Sequence, residues 1–233
     1  MNQNKFVEEV EKLGIEINDR KLEQLKKYYE LLIEYNKVMN LTGITEEKDV
    51  YLKHFYDSLT IYKIIDLTKE NNLCDLGSGA GFPGIVIKIF FPNLNIVLVD
   101  SLNKRIIFLN KVIEELGLKN IAAIHSRIED YSQNHKEEFD VVTARAVAPL
   151  NILLELGINL VKVGKYFIAM KGNIENEPSY DNAMNKLNCS LENIVKFKLP
   201  IEESNRSLIK IEKNQPTQKL FPRKYNDIKK KPL

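Results

Sequence analysis

Residues 73–84, Leu73-Cys74-Asp75-Leu76-Gly77-Ser78-Gly79-Ala80-Gly81-Phe82-Pro83-Gly84, set an apolar entry and an acid before four glycines within eight residues and a proline. Glycine tolerates positive φ and lets a ligand come close to the backbone. Pro83 suits a first helical position, where its missing N–H would have no partner anyway. The stretch reads as strand, tight loop and helix start, with several amides aimed at one point, which favours a negatively charged ligand group. Nineteen residues beyond Gly81, Asp100 ends the apolar run Ile96-Val97-Leu98-Val99. An acid at the tip of a second strand can accept hydrogen bonds from both ribose hydroxyls of an adenosine; its bland alternative is a cap for the helix after Ser101.

Two cofactor classes compete for this loop. From Gly79 the residues match the dinucleotide fingerprint G-x-G-x-x-G. From Asp75 they give D-x-G-x-G-x-G, the pattern of enzymes that bind S-adenosylmethionine (AdoMet). The dinucleotide pattern wants an apolar strand running straight into its first glycine, whereas here Asp75, Leu76, Gly77 and Ser78 come first. Asp75 is also suited to accept a bond from a cofactor ammonium, which AdoMet has and NAD lacks. Asp100 supports an adenosine without choosing between the two.

These residues need a scaffold, and the chain supplies an alternating one. Strands are expected at Ile96–Asp100, Ile121–His125, Phe139–Ala146 and Tyr166–Gly172, with helices between them, the first running from Ile106 to Leu116. Such alternation indicates a parallel sheet with right-handed crossovers. Ligands on such sheets bind beyond the carboxyl ends of the strands, where Asp75, Asp100, the 126–130 loop, Arg145 and Lys171 all fall. Beyond Gly172, Leu191–Leu199 and Ser207–Ile211 read as a closing hairpin. The fold class is therefore α/β: a Rossmann-like AdoMet-type sheet, mostly parallel, of seven strands with one antiparallel. An NAD enzyme would need a second domain for its substrate, and only the amino-terminal helices are left to supply one.

Those helices begin at Phe6, Val7, Val10 and Leu13, closed by Gly14. Asp19 is expected to cap a second helix, and Thr45 with Glu46 and Glu47 to start a third through Thr60. His54 and Asp57 share a face of the third. With no nucleophilic Ser or Cys motif beside them, they read as structural ahead of catalytic. The division expected is a helical cap at 1–66, a cofactor-binding domain at 67–214 and a basic tail at 215–233.

With 44% hydrophobic and 28% charged residues the chain has the composition of a globular protein. No apolar run approaches the roughly 20 residues that span a bilayer, and the first residues lack the apolar core of a signal peptide. Two cysteines give no disulfide framework, so a cytoplasmic location is expected. Charge is uneven: 213–233 carries seven Lys and Arg against one Asp, a tail of +6 on a remainder of −4. Its prolines disfavour a helix. A basic, extended segment with Phe221 and Tyr225 between its cations can neutralise phosphates while its rings stack on bases; a merely solubilising terminus is the alternative.

At this point a resemblance covers nearly the whole chain. Asn40–Ile44, His54–Leu59, Asp75–Pro83, Phe91-Pro92 and Val99–Arg105 carry it. So do Thr143–Ala148, Met170-Lys171-Gly172 and the tail from Phe221 to Leu233. In these stretches the sequence resembles the bacterial ribosomal small-subunit methyltransferase G family (RsmG, also called GidB). The resemblance implies transfer of a methyl group from AdoMet to guanine N7 in 16S ribosomal RNA. It places cofactor contacts on Gly77, Phe82, Ile128, Glu129 and Arg145, beside the Asp75, Gly79, Gly81 and Asp100 expected from the loop and strand tip. Where the family often has Ala, this chain has Ile128, so a backbone contact is the safer expectation there. Phe82 would pack near the sulfonium, where an aromatic face attracts a cation.

Guanine N7 carries a free lone pair, so no general base is needed, and acceleration should come from alignment of nitrogen, methyl and sulfur. Arg145, the one catalytic candidate, is expected to position the methionine carboxylate or an RNA phosphate with its planar fork. Lys171, Lys219, Arg223 and Lys224 are the RNA-binding candidates. The expected partner is 16S RNA or a small-subunit precursor, with no metal, no membrane and a monomer as the acting unit. The rivals are an NAD-dependent reductase and an RNA-binding protein that keeps the fold without activity.

Overall fold

A computed structural model describes all 233 residues. Seven strands form one sheet: β1 (Asn72–Leu76), β2 (Asn95–Asp100), β3 (Ile121–His125), β4 (Phe139–Arg145), β5 (Val161–Lys171), β6 (Cys189–Lys198) and β7 (Asn205–Lys213). Their order is β3-β2-β1-β4-β5-β7-β6, with β1 to β5 parallel and β7 antiparallel to both of its neighbours. Consecutive strands step one way from β1 to β3, and the chain then returns to lay β4 on the other side of β1. That reversal opens a crevice at the carboxyl ends of β1 and β4, where open α/β sheets bind ligands.

Helices α1 (Gln3–Lys12), α2 (Asp19–Met39), α3 (Glu47–Val50) and α4 (Asp57–Leu59) precede the sheet. Helices α5 (Gly84–Phe90), α6 (Asn103–Glu115), α7 (Ile128–Asn134), α8 (Leu150–Gly157) and α9 (Asp181–Leu187) follow its strands, and α10 (Tyr225–Lys230) ends the chain. Successive strand residues point to opposite faces. Leu73, Val141 and Ile168 therefore enter a 41-residue apolar cluster with α1, α2, α5 and α6, while Cys74, Val142 and Phe167 enter a 21-residue cluster with α8 and α9. The larger cluster runs without a break from Phe6 through Tyr28 and Phe55 into the sheet. The amino-terminal helices thus share their core with the domain that they cover. No helix is long and apolar enough to cross a membrane.

Five local expectations are corrected. Asn18, not Asp19, caps α2, its side chain accepting from the Lys21 amide at 3.0 Å. Pro83 stands just before α5 instead of opening it. The third helix changes pitch: residues Tyr51–Tyr56 between α3 and α4 wind as a wider π-helix, a form that often marks functional sites. The tail does contain a helix, α10, because it lies between Pro222 and Pro232 with no proline inside. Lys213, counted with the basic tail, is buried at the end of β7 and pairs with Glu137 at 3.2 Å.

Candidate active site

The glycine loop after β1 is packed too closely for side chains at Gly77, Gly81 and Gly84. At Gly84 a Cβ would lie 2.2 Å from Leu98 Cδ2 and 2.8 Å from Asp75 Oδ2; at Gly77, with φ +67°, it would lie 2.6 Å from Val147 Cγ2. The contact with Asp75 exists because that side chain turns inward. Its Oδ2 accepts from the Gly84 amide at 2.9 Å, so the amino end of α5 is filled by the protein's own carboxyl group. An external anion is not needed there, which corrects the expectation from the loop alone. Asp75 is fully buried, its Oδ1 has no partner, and burial pushes its pKa up to about 7. It lines neither of the cavities described next.

Two cavities open at the carboxyl ends of the strands. One, of about 300 Å³, lies among Gly77, Asp100, Ile128, Glu129, Val147 and Tyr225. The other, of about 330 Å³, lies among His54, Asp57, Arg145, Lys171, Phe197 and Arg206. Ala146 lines both. Its φ of 56° is left-handed, a conformation costing an L residue roughly 1–2 kcal/mol. That turn sends Arg145 toward one cavity and Val147 toward the other.

In the first cavity Glu129 is buried, yet its carboxylate makes no ion pair, while the first amides of α7 have no partner within the helix. A buried carboxylate without a donor invites one, and the exocyclic amine of adenine is such a donor. Asp100 is more heavily engaged. Its Oδ2 accepts from the Gly79 amide at 2.9 Å and Arg105 Nη1 at 3.0 Å, and its Oδ1 from the Leu102 amide at 2.9 Å. A carboxylate offers about four acceptor sites, so about one is free. Two ribose hydroxyls can both bind only if Arg105, a partly exposed side chain, gives way. With that exchange the residues present fit an adenosine.

The second cavity is organised by Asp57. Its Oδ2 accepts from Arg145 Nη1 and its Oδ1 from Arg206 Nε, each at 3.0 Å. Arg145 also donates to the Lys53 carbonyl at 3.1 Å and lies 3.4 Å from His54 Nδ1. Because Arg can only donate, Nδ1 accepts, and the ring proton sits on Nε2 facing Thr42 Oγ1 at 3.0 Å. Burial, with the Arg145 charge second, pulls the His54 pKa down to about 3. The imidazole is therefore neutral and stacks on Phe82, 4.3 Å between centroids and 12° between planes. Tyr28 stacks on Phe82 as well, at 5.3 Å, and its hydroxyl bonds the Ala80 carbonyl. With Phe55 at 6.1 Å and the Arg145 guanidinium 5.4 Å over its centroid, Phe82 has three rings and a cation packed on it, which makes it a prop between helix and loop.

Of the residues expected from sequence, Gly77, Asp100, Ile128 and Glu129 meet in the first cavity, while Arg145 and Lys171 line the second. Gly79 serves through its amide to Asp100, and Gly81 packs under Tyr28. Lys171 is held by Glu177 at 2.8 Å and by the Ala148 carbonyl at 2.7 Å. Arg223 makes a two-pronged pair with the buried Glu155, at 2.7 and 2.6 Å. Lys219 and Lys224 are exposed and unpaired. Sequence reading missed Arg206, Arg105 and the cavity-lining place of Tyr225. The only signal for Tyr225 was its position as a ring among cations. No group of His, Cys, Asp and Glu is arranged to hold a metal ion.

Known proteins share the sequence family and the fold of this chain. The model of a family described as rRNA small subunit methyltransferase G matches residues 21–209. A relative from Lysinibacillus sphaericus named ribosomal RNA small subunit methyltransferase G is 47% identical over 237 residues, covering 100% of each chain. One of the same name from Bacillus licheniformis is 48% identical, covering 100% of this chain and 99% of its own. Among solved structures, a single-site mutant of the 16S rRNA (adenine(1408)-N(1))-methyltransferase from Catenulisporales acidiphilia superposes with a TM-score of 0.52 at 14% identity. The match covers 64% of this chain and 87% of that one, a likeness of fold alone.

Proposed function

The chain belongs to the rRNA small subunit methyltransferase G family, and on that premise we propose a division of labour between its two cavities. The protein is a methyltransferase acting on small-subunit ribosomal RNA. The cavity around Gly77, Asp100, Ile128 and Glu129 takes the adenosine of AdoMet, and the cavity around Arg145 takes the guanine. The observation that carries this reading is Ala146, which alone lines both cavities at the point where the strand order reverses. A cofactor on one side and a base on the other would meet there. Family membership removes the reason for an NAD-dependent reductase.

AdoMet, when bound, supplies an electrophilic methyl group that the N7 lone pair accepts directly. What remains for the protein is placement. Glu129 and the first amides of α7 face the adenine edge, Ile128 covers its plane, and Asp100 holds the ribose once Arg105 moves aside. Every cation of the second cavity is already paired: Arg145 and Arg206 with Asp57, Lys53 with Glu202 and Lys171 with Glu177. A neutral base needs no counter-charge, so this cavity suits the nucleobase better than a backbone phosphate. Arg145 and Arg206, fixed by one carboxylate, keep other N–H groups for the base. The neutral His54 receives no proton from the reaction, because attack by N7 releases none from the ring nitrogen.

In this reading residues 1–66 wall the nucleobase cavity, 67–214 hold the cofactor, and 215–233 face the RNA. The substrate is 16S RNA or a small-subunit precursor in the cytoplasm, and one copy of the chain suffices. The test is calorimetric binding of AdoMet and of NAD, followed by transfer of a tritiated methyl group to small-subunit RNA and mapping of the labelled nucleotide. Label on guanine N7 is expected. AdoMet binding without transfer to any small-subunit substrate would leave an inactive RNA-binding protein, and no AdoMet binding would overturn the cofactor site.

A further inference from the structure

Tyr225 is the only aromatic residue lining the cavity that also holds Gly77, Asp100, Ile128 and Glu129. It comes from the carboxy-terminal segment, far in sequence from the strand tips that form the other walls. That segment is fastened on several sides. Phe221 and Ile228 are buried, and Arg223 pairs with Glu155 of α8 through both prongs of its guanidinium and its own amide. Gln133 of α7 donates to the Pro222 carbonyl at 3.0 Å. Arg223 Nη2 also donates to the Lys231 carbonyl at 3.1 Å, folding the segment back on itself around Tyr225. The fastening therefore joins the helix that carries Ile128 and Glu129 to the helix that begins after Ala148. A loose, merely solubilising terminus would need none of these contacts.

A purine has two faces, and Ile128 supplies an apolar surface for one. From this geometry we propose that Tyr225 is a cofactor-contact residue, its ring packing on the adenosine, and that Glu155 is a positioning residue that holds it there through Arg223. The proposal rests on AdoMet occupying this cavity, as argued above. On the same segment Lys219, Lys224, Lys229, Lys230 and Lys231 are exposed, so the segment that walls the cofactor also presents the most basic surface of the tail.

The experiment measures AdoMet affinity of the full chain by calorimetry for the unaltered protein, Tyr225→Ala, Tyr225→Phe, Glu155→Gln and the Tyr225→Ala/Glu155→Gln pair, with the ligand-free melting temperature of each. Loss of an aromatic stacking face should weaken binding about tenfold or more in Tyr225→Ala, while Tyr225→Phe, which keeps the face, stays within about twofold. Glu155→Gln should weaken binding while Tyr225 is present and add nothing once it is absent. Equal affinity of Tyr225→Ala and the unaltered protein overturns the contact. A further loss from Glu155→Gln in the Tyr225→Ala background overturns the positioning role, since the glutamate would then act by another route. If the unaltered protein itself binds no AdoMet, the failure belongs to the cofactor site and not to Tyr225.

Discussion

Asp57 and Arg145, 88 residues apart in the chain, meet at 3.0 Å between Oδ2 and Nη1, tying the helical cap to the end of β4. Side-chain exposure is 7% at Asp57 and 14% at Arg145, so the pair is largely withdrawn from water. Removing one partner of a buried pair costs about 3–5 kcal/mol, because it strands the other charge. Here Arg206 and Arg145 would both lose their carboxylate. Asp57→Ala should therefore lower unfolding free energy at the upper end of the range of single substitutions and reduce methyl transfer at saturating AdoMet. Urea denaturation and a turnover assay read the two effects.

Arg145→Ala leaves Asp57 paired with Arg206, so the fold should survive. Since Arg145 lines the cavity proposed for the nucleobase, AdoMet affinity should change little while methyl transfer falls by about two orders of magnitude or more, the scale of losing an orienting donor. Calorimetry with AdoMet, set beside single-turnover rates on small-subunit RNA, measures the split. A parallel collapse of AdoMet affinity would move Arg145 to the cofactor.

Gly77→Ala places a methyl group 2.6 Å from Val147 Cγ2 at a residue with φ +67°. Val147 directly follows the residue shared by the two cavities, so the strain enters the site instead of the core. AdoMet affinity should drop, with a stability loss of about 1–3 kcal/mol from overpacking. Isothermal titration and thermal melting together check the pair of outcomes.

Two buried groups give opposite pH dependences. For His54 the pKa falls from 6.5 to about 3 on folding. Below pH 6.5 the unfolded chain takes up a proton that the folded one refuses, so stability is lost as pH falls from 6.5 toward 3. For Asp75 the pKa rises from 3.8 to about 7. The folded protein keeps a proton that the unfolded one releases, so stability is lost as pH rises from 3.8 toward 7. Each alone gives a slope of about 1.4 kcal/mol per pH unit. They oppose one another across the overlap, and Asp75→Asn should unmask the acid loss due to His54. Unfolding free energy between pH 4 and pH 7, a range chosen at about the overlap, tests this; an unchanged slope in Asp75→Asn would reject the proton on Asp75.

The tail separates charge from structure. Lys224 is exposed and unpaired, whereas Arg223 is committed to Glu155. Lys224→Ala should reduce the slope of log affinity for RNA against log salt by about 1 if it contacts a phosphate, with no change in melting temperature. Arg223→Ala should lower the melting temperature, because it leaves the buried Glu155 carboxylate alone. Binding titrations at several salt concentrations, beside melting curves, distinguish the two.

Strand–helix alternation, the glycine loop and the closing hairpin were legible in sequence because each depends on neighbours within a few residues. Short continuous apolar runs bounded by turns make strands, glycines at 77 and 81 make turns with positive φ, and apolar residues at helical spacing make α6. The meeting of Gly77, Asp100, Ile128 and Glu129 follows from the same information, since the carboxyl ends of parallel strands must gather at one edge. The resemblance of motifs added the reaction, which periodicity does not encode.

Charge partnership was decided only by the tertiary structure. Asp57 selects Arg206 at a separation of 149 residues and Arg223 selects Glu155 at 68, distances over which spacing says nothing about contact. An unpaired lysine and a committed arginine look alike in a basic run, so the tail read as one cationic arm although Arg223 is paired with Glu155 and Lys213 is buried. Asp75 shows the same limit from the other side. Its place before the glycines marks it for a ligand, but only the approach of Gly84 to β1 turns its carboxyl group inward. Local order fixes where backbone goes, and the pairing of polar groups then depends on which of them the folded core brings out of water together.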